Sequence, residues 1–480
     1  MRISWRDFGF GLQWAWICLS LHSSVLYANA SDPLQDVGLA SFAQPCVSVV
    51  SLLALALLFR RGRIGESRVA CGIAAAGGAL GTVAVFAGST VGSAAGLALF
   101  LAGVALSTVA NSIVFIMWSE RYSEYPTQEA MRYVSLSIAL GVGLAMALGA
   151  LPLPHVAALA VAAALPCLSL AALPRKRAEG EGPEAGAPTT AGSPADAPTT
   201  IGKRGCPLPL TFMAGLVIYG AVFGLMSGLF FSDADGFLDT SGVGLAFTGA
   251  TALAFALGSF AFPKHLRFET LAKMVLPLLA AGFILLPVGN DSLAYGLMKA
   301  GETMFDMVLW IVMLDIAAAS TRYSAAAVFS WGRLIVQAGR AVGFVLVSTI
   351  AAAFSVDGMF LAAVALVVVY VLILASSFAF DGSFFRVRKG GLSRGALKAD
   401  ARARCASMRQ RYGLSPREMD VLELIAQGRS GPVIAKQLVI AESTVKTHTH
   451  NIYRKVGVAT RQELLDVVDG ADVSDENPNA

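Results

Sequence analysis

Twelve apolar runs, each close to the length that crosses a bilayer, decide what this chain can become. A helical span needs about 20 apolar residues, and runs of that kind occupy residues 8–28, 37–59, 69–88, 92–117, 133–151, 155–173, 210–231, 243–262, 271–288, 293–319, 334–354 and 359–380. Composition agrees, since 56% of the 480 residues are apolar and 14% are charged, against roughly 25% charged in soluble domains. A water-soluble fold is thereby excluded for most of the chain. An all-α bundle of twelve transmembrane helices is expected, because lipid leaves backbone polar groups to be satisfied within each helix. The first run follows Arg2 and Arg6 and ends near Ala28 and Ala30, which also suits a cleaved signal peptide. Its length, with Gln13, Trp14, Trp16 and His22 inside it, favours a retained first helix.

Loop charges orient the runs, because Lys and Arg are retained on the cytoplasmic side. Loops after even-numbered runs carry Arg60, Arg61 and Arg63, then Arg121 and Arg132, then Arg175, Lys176 and Arg177. Further along they carry Lys264 and Arg267, Arg322 and Arg333, and finally Arg386, Arg388 and Lys389. Loops after odd-numbered runs carry Asp32, Asp36, Asp233, Asp235, Asp239, Asp291 and Asp357 and no Lys or Arg. Both termini are therefore expected in the cytoplasm, and the membrane is expected to be the cell's inner one. Residues 178–207, rich in Gly, Pro, Ala and Thr, cannot bury enough surface to fold. They separate a membrane half at 1–177 from a second at 208–380. Two six-span halves joined on the cytoplasmic side resemble the major facilitator type of transporter, whose halves surround a central site. The resemblance is architectural: the loop after the second run lacks an acidic residue before its arginines, and the fifth run has Gly141, Gly143 and Gly149 without a Gly-Pro pair.

Charges inside the tenth run need a reason, since a central Lys or Asp costs about 2.5–3.5 kcal/mol to insert. Lys299, Glu302, Thr303 and Asp306 recur at i, i+3, i+4 and i+7, which places them on one helix face. Arg340 and Gln337 in the eleventh run and Asn111 in the fourth are candidates to meet them across an interior cavity. Two readings stay open: a packing network in which Lys299 neutralises Glu302, and a ligand site built from Lys299, Glu302, Asp306, Arg340 and Asn111. Gly77 with Gly81 and Gly339 with Gly343 are spaced for close helix packing. The six cysteines form no C-x-x-C pair and no His stands at zinc-ligand spacing, so no disulfide framework, metal or cofactor is expected. With no nucleophile–base arrangement and no phosphate-binding loop, an enzyme is not expected either.

After residue 380 the character changes. Residues 381–411 hold nine Lys and Arg against Asp381 and Asp400, a basic tether suited to anionic headgroups. Residues 412–470 then read as four short helices. Ser415, Pro416 and Glu418 make a capped helix start. A second helix is expected over 432–438, a turn at 439–441, a third helix over 443–456 and a fourth over 460–468. Val445, Ile452 and Val456 form the inner stripe of the third helix, while Lys446, Thr447, His450 and Arg454 point away from it. Donors and a methyl group without a carboxylate suit the electronegative major groove, and the pattern is that of a helix-turn-helix. Residues 471–480 form an acidic tail with no expected fold.

Leu414-Ser415-Pro416-Arg417-Glu418, Val421-Leu422, Ile425-Ala426-Gln427-Gly428, Ile434-Ala435, Thr444-Val445-Lys446-Thr447-His448, Ile452, Lys455-Val456-Gly457-Val458 and Arg461 together resemble the LuxR type of DNA-binding domain, over residues 413–469. That resemblance implies base-reading or adjacent positions for Lys446, Thr447 and His450. It also implies phosphate contacts for Thr444 and for Arg454 or Lys455, and dimerisation through the fourth helix. Two departures stand out: Ala441 where the family starts its recognition helix with Ser, and Gly431-Pro432-Val433 at the start of the second helix. The expected protein is a membrane-bound one-component transcription regulator sensing a small ligand through its spans. A transporter with an attached regulatory DNA-binding domain is the alternative. Expected partners are double-stranded DNA, the lipid bilayer, a small-molecule ligand and a second copy of the chain when on DNA.

Overall fold

The apolar runs fold as helices, and no strand occurs among the described residues of the computed structural model. These are residues 5–21, 33–91, 93–151, 154–173, 206–230, 234–261, 268–320, 322–354, 358–379, 408–409, 411–426, 431–438 and 440–470. The alanines at 28 and 30, nearly all of the 178–207 linker, most of the basic tether and the acidic tail lie outside them. The chain divides into two units, Met1–Asp381 and Gly382–Ala480.

The first unit contains α1 (Gly9–Leu21), α2 (Pro33–Leu58), α3 (Arg68–Thr90), α4 (Ala94–Tyr122), α5 (Thr127–Ala150) and α6 (His155–Ala172). It continues with α7 (Leu210–Phe230), α8 (Ala234–Ala261), α9 (Phe268–Leu285), α10 (Asp291–Ala319), α11 (Ala325–Ala353) and α12 (Gly358–Ala379). Ten of these are long and apolar enough to cross a membrane. The other two fall short for identifiable reasons. Thirteen residues of α1 are described, and α10, at 29 residues, carries Asp291, Lys299, Glu302, Asp306 and Asp315. Large side chains such as Leu58, Val69 and Leu366 are 72–76% exposed, an outward apolar face that water would penalise and acyl chains accept.

Helix adjacency repeats with a shift of six. In the first half α1 packs on α5 and α6, α3 on α4 and α6, and α2 on α4. In the second half α7 packs on α11 and α12, α9 on α10 and α12, and α8 on α10. The contacts between halves obey the same symmetry: α2 with α11 matches α8 with α5, and α4 with α11 matches α10 with α5. Close approach depends on glycine at helix crossings such as those of Gly81 and Gly343. A Cβ on Gly81 of α3 would stand 2.7 Å from the Ser107 backbone N and 3.0 Å from the Gly103 carbonyl of α4, and one on Gly343 of α11 would strike the Ala221 backbone of α7.

Many interior polar groups pair with one another, which a membrane interior favours. Trp16 donates from Nε1 to Thr82 Oγ1 at 2.9 Å, and Trp118 donates to Ser169 Oγ at 3.0 Å. At one end of the first half, Asp7 accepts from Arg121 Nη2 at 3.0 Å and from the Tyr125 hydroxyl at 2.9 Å. Glu120 accepts from the Ile64 and Gly65 backbone N–H groups at 3.0 and 2.9 Å, which fixes the arginine-bearing loop after α2. The two halves are tied at that end. Ser324 donates its backbone N–H to the Arg60 carbonyl at 2.9 Å, Thr127 Oγ1 donates to Asp315 at 2.8 Å, and Arg132 donates to the Ser259 carbonyl at 3.0 Å.

The second unit holds α13 (Pro416–Ala426), α14 (Gly431–Leu438), α15 (Glu442–Val456) and α16 (Arg461–Gly470). They close on a core that includes Leu414, Val421, Leu422, Ile425, Ile434, Val445, Ile452, Leu464 and Val468, with Met408 from the preceding segment buried among them. Glu418 N–H donates to Ser415 Oγ at 3.3 Å and Ser415 N–H donates to Glu418 Oε2 at 2.7 Å, a reciprocal capping box that starts α13. Gly457 ends α15 in the left-handed region at φ 82°, its N–H bonded to the Tyr453 carbonyl at 2.8 Å.

Candidate functional site

On α15 the buried stripe is Val445 and Ile452, and both lie almost wholly inside the core. With 3.6 residues per turn, Ser443, Thr447, His450 and Arg454 fall within about 60° of one another on the opposite side. All four are exposed, as are Thr444 and Lys446, and Lys446 lies about 40° to one side of that sector. The helix therefore presents hydroxyls, an imidazole, an ammonium and a guanidinium, with no carboxylate in the sector. Thr447 Oγ1 donates back to the Ser443 carbonyl at 3.0 Å, which leaves its oxygen lone pairs available as acceptors. Ser443 belongs to this face by the same periodicity, although the sequence motif drew no attention to it.

Lys455 is placed differently from its expected role. It falls about 60° from Ile452 around the helix, and its Nζ donates to Glu418 Oε2 at 2.7 Å and to the Gly413 carbonyl at 3.1 Å. Those bonds tie the end of α15 to the start of α13. Burial raises the Glu418 carboxyl, but the Lys455 ammonium and the Ser415 N–H and hydroxyl outweigh it and hold the group down at about 2. Of the pair named for phosphate contact, Arg454 is exposed and has no ion pair among the described residues. The start of α15 carries the expected deficit: Ala441 is its N-cap, with no side-chain hydrogen bond to the first turn.

Inside the membrane unit α10 and α11 bring the charged groups together. Lys299 Nζ meets Glu302 Oε2 at 2.7 Å, and the other carboxylate oxygen of Glu302 is paired with Arg340 Nη2. One turn further along α10, Asp306 Oδ1 pairs with Arg333 Nη1 at 2.7 Å. The two arginines stack on aromatic rings: Arg333 lies 4.8 Å from the Phe115 ring centre and Arg340 5.7 Å from that of Phe223.

Three sequence expectations change here. Asn111 does not join the cluster; its side-chain oxygen accepts from Gln13 Nε2 at 2.6 Å, so its amide is used within the first half. Arg333, counted as a loop charge before an eleventh span beginning at 334, lies inside α11, which starts nine residues earlier than expected, at Ala325. Its position was legible in principle, because Arg333 and Arg340 sit seven residues apart, matching the spacing of Lys299 and Asp306 on a neighbouring helix. Gln337 reaches Ser48 of α2 within 3.5 Å rather than the charges.

Residues 413–468 match the family model described as "Bacterial regulatory proteins, luxR family". The chain is 44% identical over 81 residues to the probable transcriptional regulatory protein NarL of Mycobacterium tuberculosis, covering 15% of this chain and 37% of that one. It is 52% identical over 52 residues to the HTH-type transcriptional regulator MalT of Serratia proteamaculans, covering 11% of this chain and 6% of that one. The chain thus spans well under half the length of these curated relatives. The helical membrane portion is similar to the human organic anion transporter MFSD10 (TETRAN), at TM-score 0.50 and 16% identity over 76% of this chain and 97% of that one. It is also similar to a bacterial homologue of the iron transporter ferroportin in an outward-facing state, at TM-score 0.50 and 11% identity over 79% of this chain and 97% of that one. Residues 413–468 are a LuxR-type helix-turn-helix domain, carried behind a multi-pass helical membrane portion that resembles the major facilitator type of fold.

Proposed function

We propose that the protein is a membrane-bound one-component transcription regulator. A small ligand binds among α10 and α11 and favours one arrangement of the two membrane halves, and the DNA-binding domain responds to that preference. The reading is supported above all by one observation: a single chain joins a carboxylate-free exposed face on α15 to a bundle holding five charged side chains within α10 and α11. Lys446, Thr447 and His450 read bases, Thr444 and Arg454 contact phosphates, and the protein binds its operator as a homodimer. Both termini face the cytoplasm of the inner membrane, where the operator is accessible. Coupling requires a ligand with different affinity for two states, and a bundle whose halves meet through short, symmetric contacts offers such states.

Mapping genomic sites occupied by the full-length protein, with and without candidate metabolites, tests the proposal. Occupancy that changes with a metabolite is the expected result. Metabolite-independent occupancy together with sustained substrate uptake in proteoliposomes would refute sensing and establish the second reading, a transporter carrying a regulatory domain. That second reading is favoured by the six-helix repeat.

A further inference from the structure

The described part of the intramembrane cluster is not electrically balanced, and the sign of the imbalance is informative. Among the described residues, Lys299, Arg333 and Arg340 supply three cations within α10 and α11, against two carboxylates from Glu302 and Asp306. Asp315 is nine residues beyond Asp306, about 13 Å along the helix, and accepts from Thr127 at 2.8 Å. It serves the contact between halves.

The carboxylates and the cations also differ in how fully they are used. Glu302 spends one oxygen on Lys299 and the other on Arg340, and Asp306 takes Arg333. Arg340, by contrast, has a buried Nε with no hydrogen-bond partner among the described residues. The Lys299 ammonium, with three donors, makes one side-chain bond. The Arg333 and Arg340 side chains keep 24% and 26% of their surface open, so space adjoins these donors. A surplus cation in a low-dielectric interior is costly unless something neutralises it.

We infer that an anion completes this network: the cluster takes a small molecule bearing a carboxylate, sulfonate or phosphate group, held by Arg340 and Lys299. This rests on the ligand-sensing proposal above and narrows the class of ligand. The anionic group can belong to a soluble molecule or to a lipid headgroup, and the experiment separates these sources.

The test uses the full-length protein in phosphatidylcholine nanodiscs, with thermal unfolding followed by tryptophan fluorescence. Benzoate, butyrate, sulfate and inorganic phosphate are each added at about 10 mM, beside benzamide, butyramide and tetramethylammonium. At least one anion raises the midpoint, and the neutral amides and the cation do not. Arg340→Gln loses the rise. Glu302→Gln, which leaves both Lys299 and Arg340 unpaired, shows a larger rise than the native chain, so a poorly folded Arg340→Gln variant does not spare the inference. In nanodiscs containing phosphatidylglycerol, a rise that depends on Arg340 without added anion supports the inference and names the headgroup as the source. Equal shifts from acids and amides, a shift from tetramethylammonium, or no shift from any anion and none from phosphatidylglycerol overturns it. The readout is binding to the membrane unit, so such a failure leaves metabolite-dependent operator occupancy, the test of the regulator proposal, unaffected.

Discussion

Lys455 and Lys446 sit on the same helix, yet their environments give them different work. The Lys446 side chain is exposed and lies beside the face opposite the core, so Lys446→Ala is expected to weaken operator binding and, because one cation fewer lies against the polyanion and fewer counterions are released, to lower the salt slope. A gel-shift titration at several salt concentrations reads both quantities, and an unchanged profile would remove Lys446 from the interface. Lys455 is held by Glu418 and Gly413. Lys455→Ala should therefore loosen α13 against α15, seen as faster amide hydrogen exchange in both helices, and leave the salt slope nearly unchanged. The pH dependence follows from Glu418. Its carboxyl is lowered from 4.5 to about 2, so its stabilising contribution is complete above pH 4.5 and is lost as pH falls towards 2. Glu418→Gln should abolish that acid-dependent part of the exchange profile. Periodicity put Lys446 near DNA and the LuxR-type resemblance put Lys455 there; only the position of the α13 start decided which one was already engaged.

Single elements were readable where local chemistry sets them. The Ser415–Glu418 box starts α13 and Gly457 stops α15, because capping bonds and a left-handed residue act within one turn. The start of α15 is weaker, since Ala441 offers no side-chain acceptor. Ala441→Ser is expected to restore a cap worth about 1 kcal/mol, measured as slower exchange of the first turn of α15 and tighter operator binding. If Ser443 already satisfied that turn, neither quantity would move. In the membrane, Gly81→Leu should separate α3 from α4, since even a Cβ meets backbone there. A core overpacking cost of about 1–3 kcal/mol would appear as a lower unfolding midpoint in detergent. The long extent of α11 was not readable from apolarity, because Arg333 interrupts the apolar run while its helix continues through it. A charge ends a run on a hydropathy scale, but it does not end a helix when a carboxylate on the next helix receives it.

At the scale of the whole molecule, removing residues 412–480 is expected to abolish operator binding and to leave the membrane unit foldable, because the two units have separate interiors. Loss of the membrane unit's unfolding transition in that truncation would show the two to be interdependent. The membrane character and the LuxR-type end were written in the sequence. Run length, loop charge and a short motif are each local properties, and bilayer thickness and helix capping act on them directly. The sequence also nominated Lys299, Glu302, Asp306 and Arg340, since charges within apolar runs are costly wherever they lie. What only the tertiary structure decided is which charges share an ion pair. It paired Arg333 with Asp306, withdrew Asn111 to Gln13, and left three cations facing two carboxylates. Those outcomes depend on which faces of α4, α10 and α11 meet, and helix packing fixes that over distances that no spacing along the chain encodes.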